Sequence, residues 1–471
     1  MDNHADLSPG SEIKNHSQSS ETRRARQQRK AAGKALRGKC PKKAHAAWKA
    51  PSDRADPVEL LIRSSEGRVP NLVPIRYGRM MQGPFAFYRG AAAIMAADLA
   101  ATPTSGIRVQ ACGDCHLLNF GGFGTPERRI IFDINDFDET LPAPWEWDLK
   151  RLATSFVIAG RHNKFKKGDS REAALRCVRS YRERMHEYAN MSALEMWYQR
   201  IDMDTLMASI KRKSWKKLAQ QQVAKAVSHT AADDDFPKLA TVEHGAVRIK
   251  DNPPLIFHQT DLSAAEYDQL VKAAFHRYRE TLTDDLRVLL DHYEIKDVAS
   301  KVVGVGSVGT RCAILLLMAS DNDPLFLQVK EAHESVLEPH AGKSAYANHG
   351  HRVVAGQKLM QAASDMFLGW TEEQGDFYLR QLRDIKIKPI VEVQDELALA
   401  DYGGSCGWAL ARAHAKSGDA AEISGYLGKG SKFDDAVTDF AMAYADQNEQ
   451  DYQAMLKAIR AGKIEVYQEH V

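Results

Sequence analysis

The spacing of apolar and polar positions divides the chain into helical stretches and one region of strands. Before residue 293 and after residue 394, apolar residues mostly recur at helical intervals, including an amphipathic stretch over 264–293. The pattern of residue types changes near residue 297, where runs of β-branched and aliphatic residues alternate with turn residues. The predicted strands are 107–111, 129–135, three within 297–330, 377–382 and 388–392, and a helix is predicted over 351–366. This order predicts an α+β fold in which a small antiparallel sheet interrupts a larger helical region.

The composition is that of an ordinary globular chain. Of the 471 residues, 44% are hydrophobic and 27% are charged, and the net charge is +2. No apolar run of about 18 residues occurs, so no membrane span is predicted. The six cysteines are scattered and no apolar leader follows Met1, which predicts a reducing, cytoplasmic location.

The charge is concentrated at the N-terminus. The first 54 residues carry thirteen Lys and Arg against five Asp and Glu. They show no apolar periodicity, so residues 1–55 are predicted to form a disordered basic arm. Such an arm can contact nucleic acid or acidic surfaces non-specifically, and no specific nucleic-acid binding is predicted.

The most informative stretch begins Cys112-Gly-Asp-Cys-His-Leu-Leu-Asn-Phe and continues through a turn and a predicted strand into an acidic cluster. Asp114 precedes Asn119 by five residues, and Asp136 follows the strand. A phosphotransferase needs one carboxylate to orient the acceptor hydroxyl, an amide to bind a metal, and a second carboxylate to bridge metal and phosphate. We therefore expect Asn119 and Asp136 to hold magnesium, assisted by Asp133 or Asp138. A solvated acidic turn is the alternative.

Other chemistry for Cys112, Cys115 and His116 is less well supported. The Cys-x-x-Cys-His spacing matches c-type haem attachment. That attachment requires export to an oxidising compartment, and no apolar leader follows Met1. A redox motif requires a thioredoxin-like βαβ context, which is missing here. A structural zinc requires four ligands, and no second Cys-x-x-Cys or His pair follows at a fitting spacing. The cysteines are therefore predicted to be small core residues beside a functional loop.

A second constellation lies about 200 residues later. Gly304-Val-Gly306-Ser307-Val-Gly309 is a glycine turn flanked on both sides by β-type residues, and Lys330 ends the following apolar strand. A glycine turn between two strands predicts a flap over nucleotide phosphates, and the lysine can reach the α- and β-phosphates of ATP. The alternative is a glycine hairpin with a solvated lysine.

The catalytic stretch resembles the Gly-Asp-x-His-x-x-Asn form of the protein-kinase-like superfamily, as in aminoglycoside and choline kinases. In such kinases the glycine turn and lysine precede the catalytic loop, whereas here they follow it. The helix from Gly407 to His414 is similar to the one that normally enters the catalytic loop from upstream. The resemblance therefore implies a circularly permuted, two-lobe, kinase-like fold with a small antiparallel-sheet lobe and a large helical lobe.

A wider resemblance runs from about residue 57 to 465. Segments such as Pro84-Phe-Ala-Phe-Tyr-Arg-Gly, Gln328-Val-Lys-Glu-Ala and Tyr378-Leu-Arg-Gln-Leu resemble the bacterial "domain of unknown function 2252" family. The implied organisation after the arm is a large lobe with the catalytic loop and a helical insertion (56–293), a small nucleotide-binding lobe (294–393), and C-terminal helices that complete the large lobe (394–471).

The resemblance also implies roles for individual residues. Asp114 is expected to act as catalytic base or hydroxyl-orienting residue, together with Asn119. Asp148 is expected to accept hydrogen bonds from the catalytic-loop backbone, while Arg89 and Arg151 can bind phosphate or pair with Asp148. The predicted site residues are Asp114 and Asn119 for catalysis; Gly304, Gly306, Ser307, Gly309, Lys330 and Gln381 for nucleotide; Asn119, Asp136 and Asp138 for metal; and His116, Asp148 and Arg151 in support.

The expected function is ATP- and magnesium-dependent phosphoryl transfer to an unidentified, small-molecule hydroxyl acceptor. Two alternative functions are left open by the sequence: a nucleotide-binding pseudokinase, and a nucleotidyl transferase that uses the same site. The acceptor and the oligomeric state also stay open. So does the partner of Lys330, for which the candidates are Glu331, Glu338 and Gln357.

Overall fold

The computed structural model describes residues 26–209, 213–228, 231–243, 245–258, 264–302, 304, 306, 308–320, 323–382 and 385–467. The described chain is a mixed α+β protein built from a helical body and small antiparallel sheets. Ser307, from the predicted glycine turn, lies outside the described residues.

The helices account for most of the described residues. They are α1 (Arg26–Leu36), α2 (Pro57–Arg63), α3 (Val73–Met80), α4 (Pro84–Gly90), α5 (Ala92–Ala100), α6 (Trp145–His162), α7 (Lys167–Tyr188), α8 (Ala193–Trp197), α9 (Met203–Ser209), α10 (Lys213–Val227), α11 (Phe236–Leu239), α12 (Ala264–Glu280), α13 (Asp284–Leu290), α14 (Glu338–Ala341), α15 (His349–Met360), α16 (Glu396–Ser417), α17 (Ala420–Leu427) and α18 (Lys432–Arg460).

The strands form several antiparallel sheets. They are β1 (Arg108–Ala111), β2 (Phe120–Gly124), β3 (Ile130–Ile134), β4 (Leu141–Pro144), β5 (Ala240–Glu243), β6 (Ala246–Ile249), β7 (Ile256–Phe257), β8 (Glu294–Lys301), β9 (Cys312–Met318), β10 (Pro324–Glu331), β11 (Gly369–Glu372), β12 (Asp376–Gln381) and β13 (Lys386–Ile387). The largest sheet has six strands in the order β11-β12-β10-β9-β8-β7, and β13-β2-β3 forms a separate three-stranded sheet.

The helical body packs around α6, α7, α16 and α18. Small residues let α16 approach α7 closely, because a Cβ built on Gly407 would lie 2.1 Å from the backbone oxygen of Cys177. Trp145, at the start of α6, stacks on Tyr181 of α7 with 5.5 Å between ring centroids. This body carries β1 and the loop after it, so the predicted catalytic loop rests on buried helices.

The six-stranded sheet has two different faces. On β10, Lys330 lies opposite Cys312 of β9 and Tyr378 of β12, and alternation places Val329 on the other face. The face with Val329 packs against α12 and α13, and a cavity of about 440 Å³ lies on that side. The face with Lys330 turns toward the helical body, and residues of β5 and β6 and the helix before them cover its far end.

Part of the predicted N-terminal arm is ordered, which corrects the boundary at residue 55. Helix α1 crosses α17 at two glycines: a Cβ on Gly33 would lie 1.9 Å from the oxygen of Glu422, and one on Gly425 would lie 2.1 Å from that of Lys30. Arg37 donates to the carbonyl of Tyr426 at the end of α17. Lys42 likewise donates to the carbonyl of Leu427, so basic residues of the arm bind the C-terminal carbonyls of α17 although the arm lacks apolar periodicity. Residues 1–25 lie outside the described residues.

Two predicted elements have different boundaries. The helix predicted over 264–293 is two helices, because α12 ends at Glu280 and Thr283 begins α13 with acidic residues in its first turn. The strand predicted over 388–392 is not formed. The chain pairs earlier, at β13, because Gly121 leaves room for the carbonyl of Ile387, which lies 2.5 Å from the position of a Cβ there.

Candidate functional site

The catalytic loop follows β1 and turns sharply at Gly113. Its φ is +83°, a backbone conformation that favours glycine. A Cβ at Gly113 would also lie 2.3 Å from the carbonyl oxygen of Glu139, so the loop and the acidic segment cross in close contact. The glycine therefore brings the Asp114 loop against the segment that contains Asp136 and Asp138.

Asp148 holds the loop from below. Its carboxylate accepts hydrogen bonds from the backbone amides of Cys112 at 2.8 Å and Gly113 at 3.0 Å. His414 of α16 lies 3.2 Å from the same carboxylate, and the Tyr181 hydroxyl lies 2.9 Å from the other ring nitrogen of His414. The backbone contacts of Asp148 are those expected from the sequence, and they fix the loop to the helices α6, α7 and α16.

Asp114 is positioned by charge. Its Oδ1 accepts two hydrogen bonds from Arg151, at 2.5 and 2.8 Å, and Arg151 also donates to the carbonyl of Tyr88 at 3.0 Å. Of the two roles left open for Arg151, the pairing with Asp148 is not formed, because backbone amides and His414 contact Asp148 and Arg151 pairs with Asp114. The Asn119 side chain donates to the Asp114 carbonyl at 2.7 Å. The Asp114 side chain is 20% exposed and can be reached by a ligand.

His116 lies beside the second oxygen of Asp114, with 3.8 Å between Nε2 and Oδ2. Burial lowers the pKa of His116 to about 3, although the charge of Asp114 opposes that shift. The ring is therefore neutral at physiological pH. Its Nδ1 is buried and has no hydrogen-bond partner in the described part of the chain.

The acidic segment divides into a structural and an accessible part. Asp133 is buried and accepts hydrogen bonds from Arg412 of α16 and from the backbone of Ala362, so it is not available to a metal. Asp138 accepts from the Tyr378 hydroxyl at 2.5 Å and lies 2.6 Å from Nζ of Lys330. Burial and the charge of Asp138 raise the pKa of Asp136 above its usual value.

Lys330 reaches the acidic segment from the six-stranded sheet. Burial opposes the change, but the Asp138 carboxylate raises the pKa of Lys330 well above its usual value, so the amine is charged. The expected partners make other contacts: Glu331 pairs with Arg311 at 2.6 Å, and Gln357 donates to Gln361. Glu338 instead accepts from the backbone amides of Ser335 and Ser344. The partner of Lys330 in the described residues is thus Asp138.

The glycine turn lies over the catalytic loop. A Cβ on Gly306 would be 3.9 Å from Oδ2 of Asp114 and 3.5 Å from the backbone oxygen of Arg89. Gly309 has φ +90°, and the side chain of Arg68 lies 3.1 Å from the position of its Cβ. Gly304 has open space around it. The turn therefore brings backbone groups next to Asp114 and leaves little room for side chains near Gly309.

Gln381 lies at the end of β12, where a nucleotide base was expected. Its backbone amide donates to Asp365 at 2.7 Å, so this amide is not free to bind a base. Its side chain borders a small cavity of about 90 Å³. Beside it, Arg380 donates to Gln328 at 3.2 Å, which gives this part of the sheet a polar surface.

The cysteines do not form a convincing metal site. The ligand atoms of Cys112, Cys115 and Asp148 lie within 4.8 Å of one another. Burial raises the pKa of both thiols, that of Cys115 to about 12, and the Asp148 carboxylate already accepts two backbone hydrogen bonds. Oxygen ligands suit magnesium better, and the residues that the sequence predicts for that ion, Asn119, Asp136 and Asp138, all carry them.

Several residues of the site were not predicted as such. Tyr378 and Arg380 project from β12 toward the acidic segment, and Arg352 donates to the backbone oxygens of Asp138 and Thr140. A weak signal was present, because Tyr378 and Arg380 alternate on a predicted strand. Nothing in the local pattern identifies what an alternating face contacts.

Within the described residues, no helix has the length and apolar character needed to cross a membrane. The fold and site define a mixed α+β protein in which a lysine-bearing sheet meets a loop rich in carboxylates. Residues 68–458 match the family described as "Uncharacterized protein conserved in bacteria (DUF2252)", and the chain belongs to this family. No curated protein and no solved structure matches it.

Proposed function

We propose that the protein is an ATP- and magnesium-dependent phosphotransferase that acts on a hydroxyl group of a small molecule. One observation carries the proposal most strongly: Lys330 and Asp138 are separated by 192 positions, yet their side chains lie 2.6 Å apart. A phosphate-binding lysine and a metal-binding carboxylate must lie close together, so the contact between these two side chains supports the proposed roles.

A circularly permuted kinase-like fold accounts for the order of the elements. Helix α16 packs beside the catalytic loop, where the Tyr402 hydroxyl donates to the carbonyl of Leu117 at 2.7 Å and His414 contacts Asp148. A kinase-like fold needs such a helix there. In this chain it comes from the C-terminal region, as a permutation would require.

The residues have distinct roles in this proposal. Asp114, held by Arg151 through Oδ1, presents Oδ2 to the acceptor hydroxyl and orients it for attack. Asn119 and Asp136 would hold magnesium, which supplies charge neutralisation at the phosphates when it is bound. Lys330 binds phosphate oxygens after it leaves Asp138, and the backbone near Gly306 closes over them.

The rival functions differ in the bond that is broken. A nucleotidyl transferase joins the α-phosphate to its acceptor and releases pyrophosphate, whereas a phosphotransferase joins the γ-phosphate and releases ADP. A pseudokinase binds nucleotide without turnover. The ion pair and hydrogen bonds at Asp114 favour an active site, because a binding module has no need of an oriented carboxylate.

ATP labelled at either the α- or the γ-phosphate separates these functions. The full-length protein is incubated with magnesium and a mixture of small hydroxyl compounds, and labelled products are identified by mass. Phosphoryl transfer predicts label from the γ-position only, together with ADP. Label from the α-position would support nucleotidyl transfer, and nucleotide binding without any product would support a pseudokinase.

A further inference from the structure

Two polar atoms that lack partners belong to residues beside the open oxygen of Asp114. The Nε of Arg89 and the Nδ1 of His116 are both buried, and neither has a hydrogen-bond partner in the described ranges. The two residues are close enough for the charge of Arg89 to act on His116. Buried donors and acceptors are nearly always paired, so an unpaired atom on each of these neighbours indicates a group that the protein itself does not supply.

The backbone around Arg89 is held on both sides. Before it, the Tyr88 carbonyl accepts from Arg151 at 3.0 Å and its hydroxyl donates to the Arg151 carbonyl at 2.8 Å. After it, the carbonyl of Gly90 accepts from Arg76 at 2.8 Å. The same Arg151 therefore positions Asp114 and the segment that carries Arg89, which is typical of a built site rather than a mobile surface arginine.

Arg89 and Lys330 lie in different charge environments. Burial lowers the pKa of Arg89, and the charges of Asp114 and, less strongly, Glu392 oppose that shift. Lys330, by contrast, forms a direct ion pair with Asp138, with 2.6 Å between Nζ and Oδ2. The primary partner of Asp114 is Arg151, so the charge of Arg89 is only partly balanced by that carboxylate. An anion would complete the balance.

We propose that Arg89 binds an anionic group of the acceptor, a phosphate or a carboxylate, next to the hydroxyl that Asp114 orients. A guanidinium can bind either group through two parallel hydrogen bonds, and the neutral ring of His116 supplies a further hydrogen bond beside it. The assignment to an acceptor rests on the proposed function, whereas the anion site itself stands on the contacts of Arg89.

Calorimetric titration of the full-length protein with inorganic phosphate, and separately with acetate, tests the site. We expect phosphate or acetate to bind the wild type. Arg89→Met should weaken that binding at least tenfold, and Arg89→Lys should restore part of it. Lys343→Met changes an exposed lysine of the same charge and serves as the control. Whichever anion responds to Arg89 identifies the acceptor group.

Failure of this inference differs from failure of the proposed function. Equal anion binding by Arg89→Met and the wild type, or binding that depends on Lys330 alone, would overturn the anion site even if ATP is turned over. Absence of binding by the wild type would overturn it as well. Conversely, anion binding that depends on Arg89 in a protein that never turns over ATP would support the site and end the phosphotransferase proposal.

Discussion

The two charged partners of the site are held in different ways. Asp114 is fixed by Arg151, a 2% exposed side chain that is itself fastened to the Tyr88 carbonyl within the helical body. Asp138 is held by Lys330 and Tyr378, which both project from the six-stranded sheet. The first pair lies within one packed body, and the second joins two parts of the molecule.

The two arrangements suit different tasks: the first keeps a carboxylate in one orientation, and the second lets a charged group change its partner. A two-pronged guanidinium from a buried helix keeps a carboxylate in one orientation, which suits a group that must direct a hydroxyl. A single amine can exchange one anionic partner for another, because its charge stays balanced in both arrangements. Under the proposed function, the Asp114 side is preorganised, whereas Lys330 and Asp138 balance each other's charge until nucleotide and metal bind.

The largest effect is expected at the preorganised carboxylate. Asp114→Asn keeps size but removes the charge that orients the hydroxyl, so the rate of phosphoryl transfer should fall by roughly 10²–10⁴. The measurement is γ-label transfer or, without an acceptor, ATP hydrolysis. Asp401→Asn, a surface change beside Arg176, is the matched control. A rate within threefold of wild type for Asp114→Asn would remove this residue from catalysis.

Much of this side of the site could be predicted from the sequence, because it depends on short spacing. Asp114, Asn119 and Asp136 lie on one loop and the strands after it, so local geometry brings them together. Arg151 was predicted as a supporting residue, but its pairing with Asp114 was not, and the contact of Tyr378 with Asp138 was not predicted either. Arg151 had several carboxylates within reach of its helix, and Tyr378 depends on how the six-stranded sheet meets the body, which is set by tertiary packing.

The second largest effect is a loss of stability, expected at Asp133, the buried carboxylate of β3. Arg412→Met should lower the free energy of unfolding by roughly 3 kcal/mol, because Asp133 would be left buried and without its cation. Urea unfolding measures the change. Arg171→Met removes a surface pair with Asp439 and should change stability by less than about 0.5 kcal/mol. A loss below about 1 kcal/mol for Arg412→Met would mean that the hydrogen bonds from Ala362 and Ile134 suffice for Asp133.

A smaller effect is expected at the exchangeable pair. Lys330→Met should weaken ATP binding about tenfold, which corresponds to the loss of one charged hydrogen bond to phosphate. Titration with ATP in the presence of magnesium measures it, and Lys343→Met is the control. Unchanged affinity would show that Lys330 serves only to neutralise Asp138. The lysine would then belong to the structure of the apo protein rather than to the nucleotide site.

The smallest effect has the opposite sign. Burial and the neighbouring Asp138 raise the folded-state pKa of Asp136, so its contribution to stability is complete below the usual pKa and is lost as the pH rises through the raised value.

At neutral pH the charged Asp136 therefore costs stability. Asp136→Asn should raise the melting temperature by about 2 °C without metal, and the gain should disappear as the pH falls toward 4. The same variant should lose most of the stabilisation that magnesium and ATP give the wild type, because an oxygen ligand of the metal is weakened. Asp401→Asn should change neither quantity. A lower melting temperature for Asp136→Asn would show that Asp136 stabilises the protein without metal, and the contrast between a fixed Asp114 and an exchangeable acidic segment would then fail.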